Sequence, residues 1–224
     1  AQLAHVRPLP ALSAWTFRRT PRLLRLRRQA GAVLDTVGMS QDISVATEKQ
    51  VIRALVRERL RNMPGSERDR QSALIRTWLG PAVAAGTVLA FAPLPEEVDL
   101  WPLLARLAPL GRLVLPRVAA GGALTLHRIP NLDALRAGPL RLREPGPDAA
   151  LVPPELIDVA LVPGLAFTEA GERLGRGRGM FDRLLAGFAP SVRTIGVAFA
   201  EQRFLALPCE PHDVRCRELV PNFG

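Results

Sequence analysis

Tyrosine is absent from the 224 residues, and lysine occurs once, as Lys49. Arginine supplies nearly all the positive charge. With plentiful Ala, Leu and Pro, this bias reads as the imprint of a high-GC genome rather than a physical adaptation, and it singles out Lys49. Cysteine is almost as scarce. Cys209 and Cys216 fit neither a zinc spacing nor a disulfide framework, so two free thiols in a reducing compartment are expected. No apolar run reaches the roughly 18–20 residues a membrane helix needs, because the longest, around Gly80–Pro95, is broken by Gly and Pro. Nor is there a Ser-His-Asp arrangement. His127 and His212 read as strand and surface histidines.

What is present is 48% hydrophobic residues and a net charge of +9. That composition excludes a disordered chain. The charge is uneven: residues 1–38 hold seven Arg and one Asp, a net of +6, which leaves 9 − 6 = +3 for the rest. So mild a surplus suits an anionic small molecule at least as well as a polynucleotide. Three readings are open for residues 1–38: an organelle transit peptide, a basic arm for nucleic acid, or sequence upstream of a start at Met39. We favour the third, which separates a basic leader, 1–38, from a single domain, 39–224. A cytoplasmic location is expected, or an organelle if the leader is a transit peptide.

From Thr47 the pattern is helical. Val51, Ile52, Leu55, Val56 and Leu60 recur at three- and four-residue spacing, with Arg53, Arg57 and Arg61 on another face. After the Pro64-Gly65-Ser66 turn, Ser66 is placed to cap a second helix from Glu67 to about Leu79. Thr87–Phe91 reads as a strand and Val98–Leu110 as a helix with Pro102 in its first turn. Leu113–Val118 and Leu124–Ile129 read as strands joined at Gly121-Gly122. Val159–Val162 and Thr194–Phe199 read as further strands, and Arg183–Phe188 as part of a helix. Gly138–Pro154, rich in Pro and Gly, reads as a surface connection. Strands alternating with helices predict a mostly parallel sheet covered on both faces, with the glycine hairpin adding an antiparallel element.

The chemistry concentrates in Pro163–Leu185, PGLAFTEAGERLGRGRGMFDRLL. Gly175, Gly177 and Gly179 alternate with Arg176 and Arg178. Glycines allow close backbone approach to an anion, so that successive N–H groups can converge on phosphate oxygens ahead of the next helix. The arginines add charged donors. Asp182 follows, and a carboxylate beside a phosphate cradle suits Mg²⁺. On residue types alone, a glycine-rich surface turn with solvated arginines is also admissible, since this is neither a Walker loop nor a dinucleotide fingerprint.

The full segment LAFTEAGERLGRGRGMFDR resembles the signature of the 5-formyltetrahydrofolate cyclo-ligase (methenyltetrahydrofolate synthetase) family. EKQVIRALVRERL, RDRQS, FAPLPEEVDL, VLPRV, VALVPGLAF, GVAFAEQ and LPCEPHD resemble its other segments in order, from about Glu48 to Val220. The resemblance implies a three-layer α/β/α sandwich, Rossmann-like, that converts 5-formyltetrahydrofolate to 5,10-methenyltetrahydrofolate with ATP and Mg²⁺. It implies ATP contacts from Lys49, Arg53, Arg173, Leu174, Gly175, Arg176, Gly177, Arg178, Gly179, Met180 and Phe181. Folate contacts would come from Ala92, Glu97 and Arg176 through Met180, and metal contacts from Asp182 and Asp213. On residue type alone, Glu97 reads equally as an acid at a helix start. A monomer acting on folate and ATP, without membrane or nucleic acid, is expected; the alternative is a non-catalytic relative that binds folate, nucleotide or RNA. The family's Tyr-Tyr before the aspartate is Met180-Phe181 here, its Lys in the glycine run is Arg178, and the Thr of its E-V-D-T turn is Leu100. Cys216 and Arg217 stand where an acid is expected, and Val220-Pro221 replaces its Thr-Glu ending.

Overall fold

The computed structural model describes residues 44–138 and 142–224, so the leader lies outside the described residues. Helix α1 (Val45–Asn62) starts at Ser44, whose side chain accepts from the Thr47 N–H, and buries Lys49, Val56 and Leu60. Val51 and Leu55, expected on the buried stripe, are exposed. The buried face is thus narrower than the periodicity implied, and Lys49 takes part of it. Helix α2 (Gly65–Ala82) begins two residues earlier than Ser66 would set it. Pro64 is the cap residue, Ser66 is helical, and no side chain caps this end.

The central sheet runs β11-β9-β6-β1-β2-β3. Its strands are β1 (Val88–Leu89), β2 (Leu113–Val118), β3 (Leu124–Arg128), β6 (Val159–Val162), β9 (Arg193–Gly196) and β11 (Glu218–Leu219). All pairings are parallel except β2 with β3, where Val118 opposes Leu124 across the Gly121-Gly122 turn. Alternation along the strands sorts the core into two faces. Val88, Leu113, Leu115 and Leu161 pack with Val56 and Leu60 of α1, Ile75 and Leu79 of α2, and Leu103 and Leu104 of α3 (Trp101–Leu107). Leu89, Val114, Ala160 and Val162 pack instead with Leu185 of α4 (Met180–Ala186). Helices thus cover both faces, as the alternation of elements predicts.

Several boundaries differ from the sequence reading. Helix α3 starts at Trp101 rather than Val98, because the Asp99 carboxylate accepts from the Trp101 N–H and fixes the entry turn. Helix α4 starts at Met180, and β9 ends at Gly196. The stretch read as a surface connection contains a strand of the hairpin β4 (Leu135–Ala137) and β5 (Arg143–Pro145), with Glu144 and Pro145 buried. A second small sheet, β10-β7-β8, joins β7 (Ala166–Thr168), β8 (Arg173–Leu174) and β10 (Arg203–Phe204). It carries the start of the glycine-rich segment. No described helix is long and apolar enough to cross a membrane.

Candidate active site

The glycine-rich turn links β8 to α4. Gly177 (φ 105°) and Gly179 (φ 61°) hold left-handed conformations that let the chain double back into the helix. The turn is fastened at three points. The Arg53 Nε donates to the Gly175 carbonyl at 2.9 Å. Arg173, almost wholly buried, pairs with Asp182 at 2.6 Å. Arg176 reaches across to Glu97 at 2.8 Å and Glu96 at 3.2 Å. Arg178 is exposed and forms no ion pair among the described residues.

Between the turn, the end of β1, the β2–β3 hairpin and β5 lies a cleft of about 340 Å³. Phe91, Leu94, Val118, Leu124, Met180 and Phe181 make much of its wall apolar. Ala92, Glu97, Arg173, Gly175, Arg176, Arg178, Gly179 and Asp182 complete the set of predicted residues that line it. A slot of this kind suits a flat heterocycle with charged groups at its mouth. Glu97 is held firmly: one oxygen receives Arg176 and the other the Leu94 N–H at 3.0 Å.

Other predicted residues lie elsewhere. Leu174 is 2% exposed within β8, and Gly177 sits over the Arg53 guanidinium. Lys49, one turn before Arg53, is bound by Asp213 at 2.6 Å and Glu210 at 2.7 Å. Burial opposes charge on Lys49 and on Asp213. The bonds and charges of Asp213 and Glu210 together outweigh it on Lys49, as the Lys49 bond and charge together with the Glu210 N–H do on Asp213, so the lysine pKa is raised and the aspartate pKa lowered. Ligand atoms of Glu210, His212 and Asp213 lie within 4.8 Å of one another. Hard carboxylate oxygens fit Mg²⁺, and the ammonium of Lys49 already shows that this spot accepts a cation. Asp182 belongs to the same neighbourhood, since it accepts from the Val214 N–H at 3.4 Å. Sequence reasoning missed Glu210. Its place three residues before Asp213 in LPCEPHD was the available signal.

The fold and site define an α/β protein with a glycine- and arginine-rich turn closing an apolar cleft beside a cation-attracting cluster. A family model, the 5-formyltetrahydrofolate cyclo-ligase family, matches residues 45–221. The chain belongs to that family. A 5-formyltetrahydrofolate cyclo-ligase of Mycolicibacterium smegmatis is 35% identical over 192 residues, covering 81% of this chain and 97% of that protein. Its Escherichia coli counterpart is 31% identical, covering 71% and 92%. Among solved structures, the Aquifex aeolicus 5,10-methenyltetrahydrofolate synthetase superposes with a TM-score of 0.69 at 32% identity, over 77% of this chain and 88% of that one. A Mycoplasma pneumoniae 5,10-methenyltetrahydrofolate synthetase, at 19% identity, shares the fold with a TM-score of 0.63.

Proposed function

We propose that this chain converts 5-formyltetrahydrofolate to 5,10-methenyltetrahydrofolate, consuming ATP and releasing ADP and phosphate. The observation that carries the reading is the apolar cleft closed by the signature turn, with the Arg176–Glu97 pair spanning it. A formamide oxygen is a poor leaving group. In the reaction this oxygen attacks the γ-phosphorus of ATP and ADP departs. The neighbouring folate nitrogen then attacks the formyl carbon, and the oxygen leaves as phosphate. The protein's task is to hold both substrates and to stabilise the moving phosphoryl charge.

We assign Arg176, Arg178 and the backbone of the glycine turn to that charge, together with Lys49 and Arg53 behind it. Phe181 and Met180 pack against the bicyclic ring, and Glu97 with the Ala92 backbone orients it. Asp182, Asp213 and Glu210 would hold Mg²⁺, which supplies charge neutralisation at the phosphates when bound. All these groups belong to one chain, which supports a monomeric enzyme. The test is the absorbance of methenyltetrahydrofolate formed from 5-formyltetrahydrofolate with and without MgATP. Product that depends on ATP is expected; a folded protein that binds both substrates and makes none would sink the assignment. Such product would also show that Met180-Phe181 serves where relatives carry two tyrosines.

A further inference from the structure

Glu144, on β5, is 5% exposed and lines the cleft, yet its Oε1 has no hydrogen-bond partner among the described residues. Buried polar atoms are rarely left this way, and a buried oxygen without a partner points to a partner that arrives later. The other acids of the cleft do not share this condition. Glu97 is held by Arg176, and Asp182 by Arg173. The cleft that Glu144 lines is walled largely by apolar side chains, Val118 and Leu124 among them. A flat heterocycle entering such a slot gives up the water on its N–H groups, and each N–H then needs an acceptor.

The chain makes room for this carboxyl. A Cβ on Gly138 would stand 2.6 Å from the carboxyl carbon of Glu144 and 2.7 Å from its Oε2. Gly138 is not among the glycines with positive φ. Space for Glu144, rather than backbone conformation, therefore accounts for a glycine there. Burial also pushes the Glu144 pKa up, against a backbone hydrogen bond from Val118 and the charge of Arg117. Ionised or neutral, the carboxyl keeps an acceptor oxygen.

We propose that Glu144 is a substrate-recognition residue, accepting a hydrogen bond from an N–H donor of the folate headgroup when that ring occupies the cleft. This rests on the cyclo-ligase reading above, and it adds a second acidic contact from a different wall than Glu97. The rival role is purely structural, with Glu144 serving only as the acceptor that ties β5 to Val118.

The test is direct binding of 5-formyltetrahydrofolate and, separately, of ATP to the full chain and to Glu144→Leu. Leucine keeps the bulk and removes the acceptor. Folate affinity is expected to fall about tenfold or more, because a site built to meet an N–H loses that partner. ATP affinity is expected to stay within about twofold, since the substitution leaves the glycine turn alone. The melting temperature is expected to fall only modestly, because the variant removes the bond from the Val118 N–H but also a buried oxygen without a partner among the described residues. A folded Glu144→Leu that binds folate normally overturns the proposal, as does an equal loss for ATP. Should that variant fail to fold, Gly138→Ala decides: displacing the carboxyl is expected to weaken folate binding about threefold or more, and unchanged affinity overturns the proposal. Wild-type protein that binds no 5-formyltetrahydrofolate sinks the cyclo-ligase reading and this inference together. Wild-type turnover beside a Glu144→Leu with intact folate affinity sinks this inference alone.

Discussion

Arg173 carries a charge into a nearly closed space, with its side chain 2% exposed and Asp182 at 2.6 Å. Its Nε has no partner among the described residues, so the ion pair and the bond to the Pro163 carbonyl must compensate for its desolvation. Removing one member of a buried pair leaves the other uncompensated. Arg173→Ala is therefore expected to lower stability by about 3 kcal/mol, read from the urea midpoint at unchanged m-value. An unshifted midpoint would mean that Asp182 is satisfied without it. Lys49 poses the same problem with a pH signature. The Asp213 pKa lies below its ordinary 3.8, so its contribution is present above that value and is lost as pH falls through the folded-state pKa. The Lys49 pKa lies above its ordinary 10.5, so its contribution is present below that value and is lost as pH rises past the folded-state pKa. Lys49→Met is expected to cost about 2 kcal/mol at pH 7, less than a fully buried pair because Glu210 is 39% exposed. The stability gap between wild type and variant should narrow at both pH extremes. A gap that stays constant from pH 3 to 7 would separate Lys49 from the titration of Asp213.

The hairpin β7–β8 launches the glycine-rich turn, and one residue sets where it sits. Gly171 has φ 83°, and a Cβ there would lie 2.0 Å from the Cys216 carbonyl oxygen. The backbone of Cys216 also donates to the Gly171 carbonyl at 2.8 Å, so hairpin and C-terminal segment are locked together. Gly171→Ala is expected to destabilise by more than about 1 kcal/mol and to expose the buried Cys216. Burial holds the Cys216 thiol up to about 12, so in wild type only Cys209 should react with a thiol reagent near pH 8. Two reactive thiols in the folded variant, against one in wild type, would mark the loosened lock. This hairpin was not legible in advance. Strands of two and three residues, such as Arg173–Leu174, carry no periodicity, whereas Leu113–Val118 and Val159–Val162 are apolar runs long enough to read directly. The same reasoning separates the parts of the site. Lys49 stood out against an arginine background, and the glycine-arginine alternation marked the turn. The Arg176–Glu97 contact joins residues 79 apart, which no local pattern encodes. Glu144 was hidden because its flanking Pro and Gly resemble a loop, and only the folded chain shows that the carboxyl is enclosed.

Across the whole molecule, positive charge is distributed in two different ways. In the described domain part of it is committed: Arg173, Arg176, Arg193, Arg203 and Arg215 all sit in ion pairs with acids. Those arginines hold elements in place and are not free to track a polyanion. Residues 1–38 are different, with seven Arg against one Asp. The family match begins only at residue 45, so the cyclo-ligase reading needs nothing from this segment. Any affinity for single-stranded RNA should then reside in the leader and follow counterion release, with a log–log salt slope no steeper than about −5 for seven arginines. Deleting residues 1–38 is expected to abolish low-salt RNA retention while leaving kcat and both KM values within about twofold, because the family match and every site residue fall after them in the sequence. RNA binding that survives the deletion would place an uncommitted basic surface on the domain itself, with Arg178 at the mouth of the cleft the first residue to substitute. A loss of turnover on deletion would instead make the leader part of the enzyme.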